Sequence, residues 1–93
     1  MQRRRMYYRT KDGRADYRFS FERQPGGTWR IYIEWQTPYG DRDRDFRRTH
    51  RQRDGDRTYV CWTKAPRRLE EAKEIAALWA DKTQEYIQTG RPF

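Results

Sequence analysis

The chain has 93 residues and a mass of 11.6 kDa, room for one small domain. Its 22 Lys+Arg exceed 14 Asp+Glu by a formal +8 and its mean hydropathy is -1.50, yet 16% of its residues are aromatic, so the composition describes a folded domain with a thin aromatic core rather than a disordered chain. No apolar run approaches the ~20 residues that span a bilayer, no apolar segment follows the basic start Met1–Tyr8, so no secretory signal is expected, and the single Cys61 excludes an internal disulfide and predicts a reducing, cytoplasmic setting.

Two β-hairpins can be read with their registers. Asp12-Gly13 is a strong hairpin signal. Closing a turn there pairs Lys11 with Arg14, Arg9 with Asp16, Tyr8 with Tyr17, Tyr7 with Arg18 and Met6 with Phe19. Met6, Tyr8, Tyr17 and Phe19 then share one face, an agreement that a slip of one residue destroys. Pro25-Gly26-Gly27 suits a three-residue turn. It pairs Gln24 with Thr28, Glu22 with Arg30, Phe21 with Ile31, Phe19 with Ile33, Arg18 with Glu34 and Tyr17 with Trp35. Strands near 5–10, 15–24 and 28–37 thus form an antiparallel meander. Its inner face is Met6, Tyr8, Tyr17, Phe19, Phe21, Ile31, Ile33 and Trp35, with Trp29 at the end.

Residues 38–48, with Pro38, Gly40 and the alternating run Asp41-Arg42-Asp43-Arg44-Asp45, read as a solvated, flexible loop. Asp54-Gly55 marks a third hairpin between a polar strand near 47–53 and a more apolar one at 57–63, with Arg48 opposite Cys61. A helix closes the chain near 67–89. Leu69, Ala72, Ile75, Ala76, Trp79, Thr83, Tyr86 and Ile87 recur at 3–4 spacing. Pro66 and Glu70-Glu71 suit its start, and Gly90 with Pro92 its stop. The apolar stripe has one surface to cover, the aromatic inner face of the sheet. The expected fold is a single α+β domain over 1–93: two layers, with an antiparallel meander sheet of three to five strands spanning 5–63 and one C-terminal helix on one face.

The charge is unevenly placed. Residues 1–64 hold 17 Lys+Arg and 9 Asp+Glu, whereas residues 65–93 hold 5 of each, so all the net charge lies on the sheet and its loops. Eighteen of the 22 bases are Arg, whose planar fork suits phosphate and guanine and stacks on flat rings. The outer face carries Arg5, Tyr7, Arg9, Asp16, Arg18, Ser20, Glu22, Arg30, Tyr32 and Glu34. Its cross-strand ion pairs are also what a merely solvated sheet would show. The surplus cations are Arg3 and Arg4 at the N-terminus and Arg47, Arg48, Arg51, Arg53 and Arg57 around the third hairpin. These clusters are expected to meet phosphate. Tyr7, Arg18, Arg30 and Tyr32 are placed to read or stack on bases, and Arg5 and Arg9 complete the candidate face.

Enzymatic constellations are missing. Ser20 and His50 are the only serine and the only histidine, and His50 with Cys61 cannot make a four-ligand zinc site. Asp41-x-Asp43-x-Asp45 starts like a calcium loop, but Phe46 and Gln52 stand where such a loop needs Gly and Glu. No catalytic residue, cofactor or metal is expected.

The meander at 5–37 followed by Leu69-Glu70-Glu71-Ala72-Lys73-Glu74-Ile75-Ala76 resembles AP2-like DNA-binding modules and the N-terminal, arm-site-binding domains of tyrosine integrases from conjugative transposons. That resemblance covers about two-thirds of the chain and implies that the sheet face opposite the helix, bearing Arg5, Tyr7, Arg9, Arg18, Arg30 and Tyr32, enters a major groove. The insert at 38–56 and the further strand depart from the pattern. In style the chain is also similar to small phage and mobile-element proteins. The leading expectation is a non-enzymatic nucleic-acid-binding protein, duplex DNA before RNA. The alternative is an inhibitor of the anti-CRISPR kind that binds an acidic protein or nucleoprotein complex through Tyr7, Tyr32, Tyr39 and Trp62. A sheet-edge homodimer is a third, and no membrane partner is expected.

Overall fold

A computed structural model describes residues 3–93. Strand β1 (Arg3–Arg9) pairs antiparallel with β2 (Asp16–Arg23), placing Tyr8 opposite Tyr17 and Met6 opposite Phe19, the register that the sequence predicts. The turn is wider than a two-residue loop. The Thr10 and Ala15 backbones close it at 2.9 Å, and Asp12 accepts from Thr10 Oγ1 at 2.6 Å and from the Arg14 N–H at 3.0 Å. An Asx side chain thus does part of the work of a tighter turn while the register is kept.

Strand β3 (Trp29–Trp35) pairs with β2 as expected from Trp29 to Ile33. Beyond Ile33 the register shifts: Arg18 lies opposite Trp35, not Glu34. This β-bulge makes Arg18 the ladder partner of Trp35, while the Trp35 ring stays edge-on to the fully buried Tyr17 ring, centroids 6.3 Å apart.

Strands β4 (Arg51–Asp54) and β5 (Arg57–Val60) form the third hairpin. Its loop is Gly55-Asp56, with Gly55 at φ +63° in the first central position. The register therefore differs by two residues from the expected one: Arg51 opposes Val60, and the Cys61 N–H donates to the His50 carbonyl at 2.8 Å, so His50, not Arg48, faces Cys61. The sheet order is β1-β2-β3-β5-β4, which puts the sequence-fourth strand at the edge.

Helix α1 (Leu69–Thr89) lies across one face of this sheet. Ala72, Ala76 and Ala80 are fully buried and let the helix approach closely. Trp79, also fully buried, meets Tyr17 and Phe19 edge-on with ring centroids 6.1 and 6.0 Å apart. The architecture is the expected two-layer α+β fold. No helix among the described residues is long and apolar enough to cross a membrane.

The segment expected to be a solvated loop is instead folded onto the helix. Tyr39 is 7% exposed and Thr49 fully buried. Trp79 Nε1 donates to the Thr49 carbonyl at 3.1 Å, the Tyr86 hydroxyl to the Asp43 carbonyl at 2.7 Å, and Arg42 to the carbonyls of Ile87 and Gln88. The polar backbone of the segment is satisfied by aromatic donors of α1, which is why so charged a stretch is ordered against the core.

Candidate nucleic-acid interface

The sheet face turned away from α1 divides into two halves. Over β3, β5 and β4 it is closed by its own side chains. The Arg57 guanidinium lies 3.5 Å above the Tyr32 ring centroid, 2.9 Å from a Glu22 oxygen and 3.6 Å from a Glu34 oxygen. Arg30 lies 4.2 Å from the Tyr59 ring and 3.2 Å from Asp54 Oδ2, which also accepts from the Tyr32 hydroxyl at 2.7 Å. The hydrogen bond to Tyr32, followed by the Tyr59, Tyr32 and Asp54 fields, outweighs partial burial and raises the Arg30 pKa. Tyr32 is 3% exposed and Glu22 7%. Arg30 and Tyr32 therefore belong to a stacked, ion-paired network in which the Tyr32 ring is covered by Arg57 and has no face open to a base.

The half over β1 and β2 is different. Arg5, Tyr7, Arg9 and Arg18 are all exposed, Tyr7 at 69%. Arg9 is held by Asp16 through two 2.9 Å hydrogen bonds, which raise its pKa. Arg5 and Arg18 have no carboxylate partner among the described residues. Tyr7, Arg18 and Trp35 are successive ladder partners on three adjacent strands, but the Trp35 ring, 42% exposed, packs edge-on against the buried Tyr17 ring and not on this face. They border a shallow depression of about 510 Å³ at the end of the sheet that Arg14, Thr37 and the helix residue Gln84 also line.

The remaining candidates are scattered. Arg4 is exposed in register with inner-face Phe21, and the side chain of Arg3 lies outside the described part of the structure. Arg47 and Arg48 are exposed, Arg48 lying 3.4 Å from Asp43. Arg51 is structural. It stacks on Tyr39 and Phe46 and donates to Thr49 Oγ1 and to the Arg44 carbonyl, and burial pushes its pKa down. Arg53 lies 5.2 Å from the Phe46 ring. The two expected phosphate clusters are not brought together. β1 and β4 are opposite edges of the sheet, four strand spacings or roughly 19 Å apart.

Sequence reasoning missed the register shift at Trp35, because Ile31-x-Ile33-x-Trp35 is an unbroken alternation and nothing in it announces a bulge, although the expected neighbourhood of Trp35 and Tyr17 is kept. It also missed Arg14, hidden in the turn. No group of three or more His, Cys, Asp or Glu side chains among the described residues is placed to hold a metal ion. Comparison with protein-family models, with curated proteins and with solved structures returns no match.

Proposed function

We propose that the chain is a non-enzymatic nucleic-acid-binding protein that engages its ligand through the β1–β2 half of the outer sheet face. The observation that carries this reading is the pairing of two uncompensated guanidinium groups, Arg5 and Arg18, with the exposed ring of Tyr7 on the face that the helix leaves open. A cation without a carboxylate partner can neutralise phosphate and release counterions. One already locked to an acid, as Arg30 and Arg57 are, must first give up that bond. Arg9 and the exposed loop cations Arg47 and Arg48 supply longer-range attraction. The resemblance to AP2-like and integrase arm-binding domains implies the same face. The lone Cys61 thiol suits a cytoplasmic setting.

The inhibitor reading has less support. Of the four aromatic anchors it would use, Tyr32 and Tyr39 are 3% and 7% exposed, leaving Tyr7 and the half-buried Trp62.

Fluorescence anisotropy at low salt with labelled duplex DNA, single-stranded DNA and RNA tests the proposal. Arg18→Ala is expected to weaken binding by about 1 kcal/mol or more. Arg67→Ala, an exposed arginine before the helix, is expected to leave it within experimental error. Equal effects of the two variants, or no binding to any of the three, would refute it.

A further inference from the structure

We infer that the depression over Phe46, beside the edge strand β4, is a phosphate-binding site in which Arg47, Arg51 and Arg53 grip a phosphate ester. The site lies at the sheet edge opposite β1 and does not depend on the nucleic-acid reading of the β1–β2 face.

Three observations converge. The first is the wall of the depression. Its volume is about 470 Å³, within the roughly 300–1,000 Å³ of small-ligand sites. Arg47, Arg51 and Arg53 border it with Phe46, His50 and Gln52, and no Asp or Glu of the described residues lines it. The second is how the cations are held. The Arg51 and Arg53 guanidinium groups lie 4.5 and 5.2 Å from the Phe46 ring centre. A ring attracts cations without neutralising them. Arg51 is further fixed by neutral acceptors, donating from Nε to Thr49 Oγ1 and from Nη2 to the Arg44 carbonyl, each at 2.8 Å. These bonds leave the rest of its N–H donors free, so its fork is positioned while its charge stays uncompensated.

The third is the lack of counter-charge. None of Arg44, Arg47, Arg51 and Arg53 has an ion-pair partner among the described residues. The acids of the neighbouring segment are engaged elsewhere: Asp45 Oδ1 accepts from the backbone N–H groups of Arg47 and Arg48 at 2.8 and 3.4 Å, and Asp43 lies 3.4 Å from Arg48. Burial pushes the Arg51 pKa down; Tyr39 opposes this, and Arg44 and Arg53 add to it. A half-buried cation among like charges destabilises the free protein, and an entering anion relieves it.

The class of anion follows from the donors. One guanidinium fork satisfies both oxygens of a carboxylate. Several forks around one depression suit an anion with oxygens on several sides, which is what a phosphate offers. The volume leaves room for the group that the phosphate esterifies. A phosphate of this kind comes from a nucleic-acid chain or from a small phosphorylated molecule, and the two sources separate by experiment.

The test is a titration of the intact chain with adenosine monophosphate and with inorganic pyrophosphate, followed by amide NMR at low salt, against adenosine and sodium chloride at matched ionic strength. Both phosphates are expected to give saturable shifts in residues 46–53 and Cys61, and adenosine none. Arg47→Gln and Arg53→Gln, at exposed positions, are each expected to weaken binding roughly tenfold. Arg51→Gln also loses the bonds to Thr49 and Arg44, so the two exposed variants carry the test, with thermal melts to verify folding. Arg67→Ala is expected to change nothing. If Arg53→Gln also weakens binding of a labelled oligonucleotide, the phosphate belongs to a nucleic-acid chain; if only the monophosphate is lost, the ligand is a small phosphate ester. No saturable response to either phosphate, shifts centred on Arg5 and Arg18 instead, or an affinity indifferent to both Gln variants overturns the inference, and oligonucleotide binding that survives in the same sample keeps the β1–β2 reading standing.

Discussion

Arg42 reaches from the connecting segment to the end of the helix, donating from Nε to the Ile87 carbonyl at 3.0 Å and from Nη2 to the Gln88 carbonyl at 3.1 Å. The last turn of α1 has no basic residue of its own, so this guanidinium satisfies the terminal carbonyls and meets the negative end of the helix dipole. Gly90 follows at φ +78°, where a Cβ would stand 2.9 Å from Arg42 Nη1. Gly90→Ala is expected to cost about 1–2 kcal/mol through the left-handed backbone and to push the guanidinium off its carbonyls as well; urea denaturation measures the loss. Two tyrosines set the alkaline limit. Burial, then the hydrogen bond to Asp81, pushes the Tyr8 phenol up to about 12; burial does the same to Tyr17, which donates to Gln84 at 3.0 Å. A phenol whose pKa is higher folded than unfolded stabilises the fold fully below pH 10 and loses that contribution as pH rises through about 12. Stability is therefore expected to fall between pH 10 and 12 and to fall less steeply in Tyr17→Phe, as followed by circular dichroism.

Among the elements, the two N-terminal hairpins and the helix were legible because each is specified locally. Asp12-Gly13 and Pro25-Gly26-Gly27 set registers that the alternation of Tyr17, Phe19, Phe21, Ile31 and Ile33 independently supports. The third hairpin was misread by two residues. A shift of two preserves which side chains share a face, so periodicity could not distinguish Asp54-Gly55 from Gly55-Asp56 as the turn. The docking of residues 38–50 on α1 was hidden for another reason: its partners, Trp79 and Tyr86, lie 30 and 43 residues downstream. Trp79→Phe keeps a ring in the core but leaves the Thr49 carbonyl without its donor. It is expected to cost about 1–3 kcal/mol and to speed amide exchange in 38–50 more than in β2 and β3, as read by native-state hydrogen exchange. The candidate site was half legible. Tyr7 and Arg18 follow from the first turn. The covering of Tyr32 depends on β5 lying next to β3, which no local signal specifies.

On the scale of the whole molecule, one sheet face builds the core and the other divides its cations. The Arg30–Tyr32–Asp54 and Arg57–Glu22–Glu34 groups stiffen the distal half, while Arg5, Arg18 and the exposed ring of Tyr7 leave the proximal half open. A chain of 93 residues is held by roughly 5–14 kcal/mol in total, so leaving two guanidinium groups without a carboxylate partner among the described residues matters on that scale. The central claim is that these groups wait for a polyanion. Its most direct measurement is the slope of log Kobs against log salt for a single-stranded oligonucleotide. Neutralising two to four phosphates predicts a slope of roughly -1.5 to -3, made shallower by about 0.7 in Arg18→Ala. A slope near zero, or a slope that Arg18→Ala does not change, would contradict it.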